Sequence, residues 1–386
     1  MANPVRLGVI GCGVMARYHF QYFPRLDGLR FTAAADIDPR ALAHTVAHHG
    51  VRGFDDGLAL LDSGLVDAVL IATPHYFHPV FAQAALRRGI HVLTEKPVAV
   101  TALAAQRTAE VHARHPGTLY AVMFNQRTYS TWAKVRQLVR AGAVGPVQRM
   151  SWTVTTWFRP DAYYRSGTWR ATWAGEGGGV LLNQCPHNLD LLQWIFGPPE
   201  KVTAQVGLGR FHDIEVEDQV QALLEFPGGA TGSFTTTTGE APGTNRLEIA
   251  GDRGRIVTDG GPEIELTQTA VSVREFCRSS PDPFSTPAAT HTVITTDGKK
   301  PDHPLVTQNF LDAIRHGTPL LAPGEEGLAS VELANAMLLS GLRHKTVALP
   351  MNRKVYDRML RELAGKSRYN PAAAGASRVE ETWQVH

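Results

Sequence analysis

Over the first third of the chain, short apolar runs alternate with longer stretches of mixed polarity. Val5–Ile10, Arg30–Ala35, Asp67–Ala72, Ile90–Thr94 and Leu119–Phe124 have the length and apolar content of buried strands. The stretches between them read as helices. One follows Ala16 and runs through Phe23. A second is N-capped by Asp38, with Pro39 at its first position. A third opens where Thr73–Pro79 breaks the preceding strand, and it runs through Arg88. A fourth spans about Thr101–His115. Strands alternating with helices predict an α/β fold with a parallel, doubly wound sheet.

The pattern changes after about Gln126. A helix over Tyr129–Ala141 stops at Gly142, and a β-rich stretch covers Val147–Phe158. Three glycines, Gly177–Gly179, lead a helix that runs to about Phe196 and stops at Gly197-Pro198-Pro199. Residues 200 to about 295 read as short strands with Gly and Pro turns, among them Gln219–Phe226 and Ala230–Thr238. Helices return at about His303–Arg315 and Gly327–His344. The expected division is a nucleotide-binding domain at 1–126, a largely antiparallel α+β domain at 127–364, and a tail at 365–386. That tail carries Ala372-Ala373-Ala374-Gly375 and reads as a loose end or as a segment that embraces a partner subunit.

The first strand runs into Gly11-Cys12-Gly13-Val14-Met15-Ala16, a GxGxxA turn. Gly11 permits the tight turn, Gly13 lets backbone approach a pyrophosphate, and Ala16 lets helix and strand pack closely. Val14 and Met15 open the helix that faces the phosphates. The second strand ends in Asp36, 20 residues past Ala16, where an acceptor for a ribose hydroxyl is expected. Strand, glycines, helix, strand and acid in this order predict a Rossmann dinucleotide site. Asp36 followed by Ile37 predicts NAD(H) over NADP(H), since neither residue can hold a 2′-phosphate.

Glu95-Lys96-Pro97 follows the fourth apolar run, so Lys96 sits at the carboxyl edge of the sheet, where ligands bind in open α/β folds. Asn183 and His187 are four apart on the glycine-led helix and are expected to share one face. Oxidising a secondary alcohol removes a hydride and a proton, and the proton needs a base such as a histidine or a desolvated lysine. Asp190, three residues after His187, has two readings: a partner for an imidazole or substrate hydroxyl, and a plain inter-helix polar contact. His75 and His78 either line the nicotinamide end or serve the turn they stand in. Tyr163, Arg165, Trp169 and Arg170 lie in an aromatic, basic stretch that suits carbohydrate, by stacking on C–H faces and donating to hydroxyls. The other reading of that stretch is an inter-subunit or inter-domain aromatic cluster. Cys185 has no evident base and reads as packing.

Composition narrows this further. Hydrophobic residues at 43% and charged residues at 19% describe an ordinary globule. Lys plus Arg total 38 against 36 acids, which leaves no electrostatic footprint for nucleic acid or an anionic membrane. Three cysteines without a CxxC fit a reduced, cytoplasmic setting. Met1–Arg6 runs straight into a strand, so no secretory leader is expected, and no apolar run reaches transmembrane length. No set of Cys, His, Asp and Glu has metal-ligand spacing.

Four stretches together resemble the glucose–fructose oxidoreductase, inositol dehydrogenase and MocA (Gfo/Idh/MocA) oxidoreductases: Gly11–Ala16, Thr73-Pro74 with His78, Glu95-Lys96-Pro97, and Gly177–Gly179 followed by Asn183 and His187. The resemblance covers Val5 to about Leu363. It implies a C-terminal domain with a large open sheet, often used for dimer or tetramer contacts. It implies NAD-linked hydride transfer at a secondary alcohol of a sugar, glycoside, sugar nucleotide or cyclitol. Lys96 matches the family's catalytic lysine and His187 its catalytic histidine, while Thr73, Pro74, His75, His78, Glu95 and Lys96 fall on the nicotinamide side. The family commonly has aspartate where this chain has Asn183. A redox-neutral enzyme that cleaves or epimerises glycosides with tightly held NAD is one alternative. A nicotinamide-sensing regulator without turnover is another, against which Lys96 and His187 argue.

Overall fold

The computed structural model describes residues 3–299 and 303–369. From residue 370 onward the expected tail, with its alanine cluster, lies outside the described residues.

The first sheet is built from β1 (Val5–Ile10), β2 (Leu29–Ala35), β3 (Arg52–Phe54), β4 (Ala68–Ile71), β5 (His91–Thr94) and β6 (Tyr120–Val122). Their order is β3-β2-β1-β4-β5-β6, parallel at every pairing. Helices α1 (Val14–Phe20), α2 (Pro39–His49), α3 (Gly57–Asp62), α4 (His78–Arg87) and α5 (Ala102–Ala113) connect them. Because helices cover both faces, β4 is buried at every residue, which is why it reads as an unbroken apolar run. Side chains close the helix starts: Asp38 accepts the Arg40 amide at 2.9 Å, and Thr101 accepts the Ala104 amide at 3.2 Å. The strand order reverses between β1 and β4, so the crevice for a ligand opens at the carboxyl ends of those two strands. Helix α1 ends at Phe20, short of the expected Phe23, and a 3-10 turn at Phe23–Arg25 follows. Pro24 has no N–H to give the Phe20 oxygen four residues back, so the α-helical ladder does not continue.

The second sheet has nine strands: β7 (Val147–Val154), β8 (Lys201–Leu208), β9 (Glu217–Glu225), β10 (Thr231–Thr237), β11 (Asn245–Gly251), β12 (Gly254–Thr258), β13 (Glu263–Thr269), β14 (Ala289–Thr295) and β15 (Val347–Ala348). Their order is β14-β13-β12-β11-β7-β10-β9-β8-β15, and only β7 with β10 is parallel. The helices here are α6 (Ser130–Arg140), α7 (Asp161–Tyr164), α8 (Pro186–Phe196), α9 (Val273–Ser279), α10 (His303–His316), α11 (Gly327–Arg343) and α12 (Arg353–Ala364). Val220, Ala222 and Leu224 of β9 join the same core as α8 and α11, while Gln221 and Leu223 are exposed on the other face. This is the open sheet that the resemblance implied.

Helix α11 ties the two halves together. It is buried along most of its length, and Asn335 within it accepts the Ala102 amide at 2.8 Å and donates to the Val100 oxygen at 3.1 Å. Helix α10, expected in the second domain, instead packs Val306, Phe310 and Leu311 against Val5, Leu7 and Val9 of β1. Its apolar stripe matches the covered face of the first sheet, a long-range pairing that local periodicity does not reveal.

Candidate active site

The nucleotide groove follows from the backbone of the β1–α1 turn. Gly11 has φ +93°, and a Cβ there would stand 2.6 Å from the Ala72 oxygen, so only glycine fits. Gly13, by contrast, has nothing within 4 Å of where a Cβ would project. It caps α1 without a side-chain hydrogen bond, and Val14 and Met15 beside it are exposed. A turn with open space above it and uncapped amides fits a pyrophosphate. Asp36 is pinned by two amides, from Cys12 to Oδ2 at 2.5 Å and from Asp38 to Oδ1 at 2.7 Å. Each carboxylate oxygen keeps a further acceptor position for a ribose hydroxyl. The residues present therefore fit a dinucleotide.

Beyond this turn, exposure singles out three side chains. Lys96 is partly exposed between buried neighbours on both sides. Between residues 175 and 192 only Asn183 and His187 keep partial exposure. Lys96 Nζ donates to the main-chain oxygen of Asn183 at 2.9 Å. The Asn183 side-chain amide donates in turn to Glu176 Oε1. His187 packs edge-on against Phe124, with ring centres 6.2 Å apart, and its Nδ1 is buried without a hydrogen-bond partner among the described residues.

The expected single helix carrying Asn183 and His187 is not formed. Helix α8 begins at Pro186, and Asn183 lies in the preceding turn. Glu217 caps this turn: its buried carboxylate accepts the amides of Gly179 at 2.8 Å and Leu181 at 3.0 Å, and its main-chain oxygen accepts the Val180 amide at 3.0 Å. The Asn183 and Gln184 amides then bond the Gly179 and Val180 oxygens, and the run breaks at Pro186, which has no N–H for the Leu182 oxygen and supplies the first helical position of α8. Asn183 and His187 therefore meet near Lys96 through the turn, not through helical spacing.

Burial lowers the pKa of Lys96, while Glu95 and Glu176 oppose that shift. Burial, then the Lys96 charge, pulls His187 down to about 3, which leaves a neutral imidazole at pH 7. Burial by itself would raise the Glu95 carboxyl. The hydrogen bond and charge of His19 outweigh it, helped by His303 and Lys96, and bring it to about 2. His19 Nε2 lies 2.7 Å from Glu95 Oε1. Glu176 is raised by burial, against the amides of Ala171 and Asn183 and the charges of Arg170 and Lys96. Lys96, its pKa lowered by burial, thus acts on a neutral His187 imidazole.

Comparison with known proteins settles the lineage. Residues 5–124 match the oxidoreductase family with an NAD-binding Rossmann fold, and residues 132–257 match the Gfo/Idh/MocA C-terminal domain. The chain belongs to the Gfo/Idh/MocA family. It is an NAD-binding oxidoreductase of that family, with the α/β architecture expected. It is 28% identical to an inositol 2-dehydrogenase of Rubrobacter xylanophilus over 65% of this chain and 70% of that one. It is 30% identical to a dTDP-3,4-didehydro-2,6-dideoxy-alpha-D-glucose 3-reductase of Streptomyces violaceoruber, over 66% of this chain and 72% of that one. Several other curated relatives are spanned over only 56–57% of their length. Among solved structures, the WlbA dehydrogenase of Bordetella pertussis in complex with NADH and UDP-GlcNAcA superposes with a TM-score of 0.77 at 28% identity, covering 91% of this chain and 100% of that one.

Within this Gfo/Idh/MocA site the remaining expected residues divide. Thr73 and Pro74 sit partly exposed beside the Gly11 turn. Tyr163, Trp169 and Arg170 come together. The Arg170 guanidinium lies 4.7 Å from each ring centre and donates to the Tyr163 hydroxyl at 3.0 Å, and Trp169 meets His75 edge-on at 5.9 Å. Arg165 departs from the expectation: it is exposed and pairs with Asp161 on the surface of α7. Asp190 does too. Both its oxygens are held by Arg127, at 2.6 and 2.8 Å, and neither side chain is more than 4% exposed, so it takes the inter-helix reading and anchors α8. His78 is a strut, since its two ring nitrogens face the oxygens of Pro97 and Thr73 at 2.7 and 2.8 Å. His75 is buried, with Nδ1 3.3 Å from the Glu176 oxygen. Glu95 is 4% exposed, with one oxygen turned onto His19 and the other accepting the Lys96 amide at 3.2 Å.

Reading the sequence missed Glu176, His19, Arg127 and Glu217. Glu176 had one local signal, its place just before Gly177. Among the described residues no helix is long and apolar enough to cross a membrane, and no cluster of three or more Cys, His, Asp or Glu could hold a metal.

Proposed function

We propose that the chain oxidises a secondary hydroxyl of a sugar, sugar nucleotide or cyclitol, or reduces the matching ketone, with Lys96 and His187 as its catalytic residues. One observation supports this most. Lys96, Asn183 and His187 are the partly exposed residues of otherwise buried segments, and they converge at the carboxyl edge of the first sheet. Bound NAD would supply the hydride acceptor. Gly11, Gly13, Val14 and Met15 would hold its pyrophosphate, Asp36 its adenosine ribose, and Thr73 and Pro74 the nicotinamide side.

In oxidation the neutral imidazole of His187 takes the hydroxyl proton, and the Lys96 ammonium stabilises the negative charge that develops on that oxygen. In reduction His187 returns the proton. Asn183, together with Tyr163, Trp169 and Arg170, positions the ring: the aromatic faces stack on C–H groups and the guanidinium donates to hydroxyls or to an anionic group. The relatives support this substrate range, since their names refer to inositol and to nucleotide-linked sugars.

The exposed face of the nine-stranded sheet is proposed as the surface for a homodimer or homotetramer. Three free cysteines support a reducing, cytoplasmic location. NADH absorbance over a panel of sugars, cyclitols and nucleotide sugars tests the reading. Net NADH formation with at least one of them is expected. Product without net NADH, from enzyme that retains its cofactor, would favour the redox-neutral alternative. No turnover, with cofactor bound, would favour a sensor.

A further inference from the structure

Glu176 is a buried carboxylate that neither the fingerprint nor the catalytic pair uses. It is 2% exposed and stands where the turn toward α8 begins. Its Oε2 accepts the Ala171 amide at 2.6 Å, and its Oε1 accepts the Asn183 side-chain amide. Arg170 Nη1 approaches Oε1 only to 4.0 Å, so no close ion pair neutralises it. On the other side of Asn183, Lys96 Nζ donates to the main-chain oxygen of that residue.

We propose that Glu176 is a positioning residue of the reaction: it holds Asn183 with its amide oxygen toward the substrate, and it keeps Lys96 in the cationic form. The first half follows from donor chemistry. Both Glu176 oxygens accept, one of them from Asn183 Nδ2, so the Asn183 Oδ1 is left for another donor. That oxygen takes no hydrogen bond from the described residues and is not buried. A substrate hydroxyl that donates is the group this geometry accepts.

The second half follows from charge. The charged and titratable groups around Lys96 are Glu95 on its own segment, His75 and His78 at the start of α4, His187 on α8, Glu176 before the turn, and Arg159 and Arg170 in the aromatic stretch. The two arginines disfavour an ammonium, and burial lowers the pKa of His75, His78 and His187. Glu95 also favours the ammonium, and one of its oxygens is turned onto His19 at 2.7 Å. Glu176 is the carboxylate that reaches Lys96 through Asn183, bonded to the side chain of that residue on one side while Lys96 bonds its main-chain oxygen on the other.

The inference rests on the proposed role of Lys96, but its test needs no substrate. The probe is acetic anhydride, with acetylation at Lys96 followed by mass spectrometry as a function of pH in the full chain. Losing a nearby carboxylate lowers a lysine pKa. Glu176→Gln should shift the labelling midpoint down by about one pH unit, a roughly tenfold gain in reactivity below it. Adding Asn183→Asp to Glu176→Gln restores a carboxylate beside Lys96 and should move the midpoint back up. Glu176→Asp serves if the glutamine variant does not fold, and it should give a smaller downward shift. A midpoint that stays in place in the foldable variant, or that fails to return in the double variant, overturns the proposal. If the midpoints move as expected but Lys96→Ala retains turnover, Glu176 controls the lysine and only the catalytic role of Lys96 fails.

Discussion

Lys96 Nζ and the main-chain oxygen of Asn183 are 2.9 Å apart, across 87 residues of sequence. This bond joins the nucleotide half of the molecule to the half that carries His187. A residue at the end of β5 thereby reports on the turn before α8, and that turn is held by two buried carboxylates, Glu176 and Glu217. The position of Lys96 depends on a segment the nucleotide fold does not contain.

Cofactor choice follows from Asp36. Its oxygens accept two backbone amides, and its charge opposes a 2′-phosphate. NAD⁺ should exceed NADP⁺ in kcat/KM by roughly ten- to a hundredfold, the worth of one charge-assisted hydrogen bond at about 1.5–3 kcal/mol. Asp36→Ser should narrow that ratio. It should also weaken both cofactors, because the Cys12 amide loses its partner. Parallel kinetics with the two cofactors check this, and a wild-type preference for NADP⁺ would remove Asp36 as the selector.

Lys96→Ala and His187→Ala should each reduce turnover by roughly 10²–10⁴-fold. Cofactor binding, read by fluorescence titration, should change little, since neither side chain belongs to the Gly11–Ala16 turn. The double variant should be little worse than either single one if the cation and the base act on one oxygen. Near-normal turnover after either change would take that residue out of the mechanism.

The fingerprint, Asp36 and the Lys96 corner were legible because each follows from local backbone geometry: a turn that needs glycine, a strand end, a fixed offset. Residues whose roles arise from long-range contact were not. His19 meets Glu95 76 residues away, and Arg127 meets Asp190 63 residues away. Nothing local marks either pair. The helix expected to carry Asn183 failed for a local reason. Spacing four apart implies one face only if the helix is continuous, and Pro186, between the two residues, has no N–H to carry the ladder back into the turn that Glu217 caps.

Arg127 carries a stability prediction. It holds Asp190 through two bonds and also reaches Glu326 before α11. Arg127→Met would leave a buried carboxylate unpaired, at a cost of about 3–5 kcal/mol. The melting temperature should drop by several degrees, and Arg127→Met with Asp190→Leu should recover most of the loss. A melting temperature unaffected by the single change would show that the pair contributes nothing net.

Burial of neutral histidines makes the fold acid-sensitive. His187 is brought to about 3, and burial lowers His75 and His78 as well. Folded values below the unfolded value of about 6.5 mean that the unfolded chain binds these protons more readily. This contribution to stability is fully present above about pH 6.5 and is lost as pH falls toward the folded values. The slope is at most about 1.4 kcal/mol per pH unit for each such group. Urea denaturation at pH 7 and pH 5 should show a lower midpoint at pH 5, and His187→Asn should reduce the difference. Equal midpoints at both values would show that the fold does not hold these imidazoles neutral.

Asn183→Asp tests the arrangement at the turn. Had Asn183 shared a helical face with His187, an aspartate there would mainly have raised the imidazole pKa. In the structure position 183 faces Glu176, so the new carboxylate would meet a buried carboxylate at the site where Nδ2 now donates. Two such groups cannot both ionise cheaply, and the pair must share a proton. The folded pKa of one of them then rises above its unfolded value of about 4. The variant gains relative stability below that value and loses it as pH rises through the folded one. Its melting temperature, relative to wild type, should fall between pH 5 and pH 8. Glu176→Gln added to Asn183→Asp removes the second carboxylate and should flatten that dependence. If Asn183→Asp alone has the pH profile of the wild type, residue 183 does not face Glu176 in solution, and the carboxylate-to-lysine link through the turn is wrong.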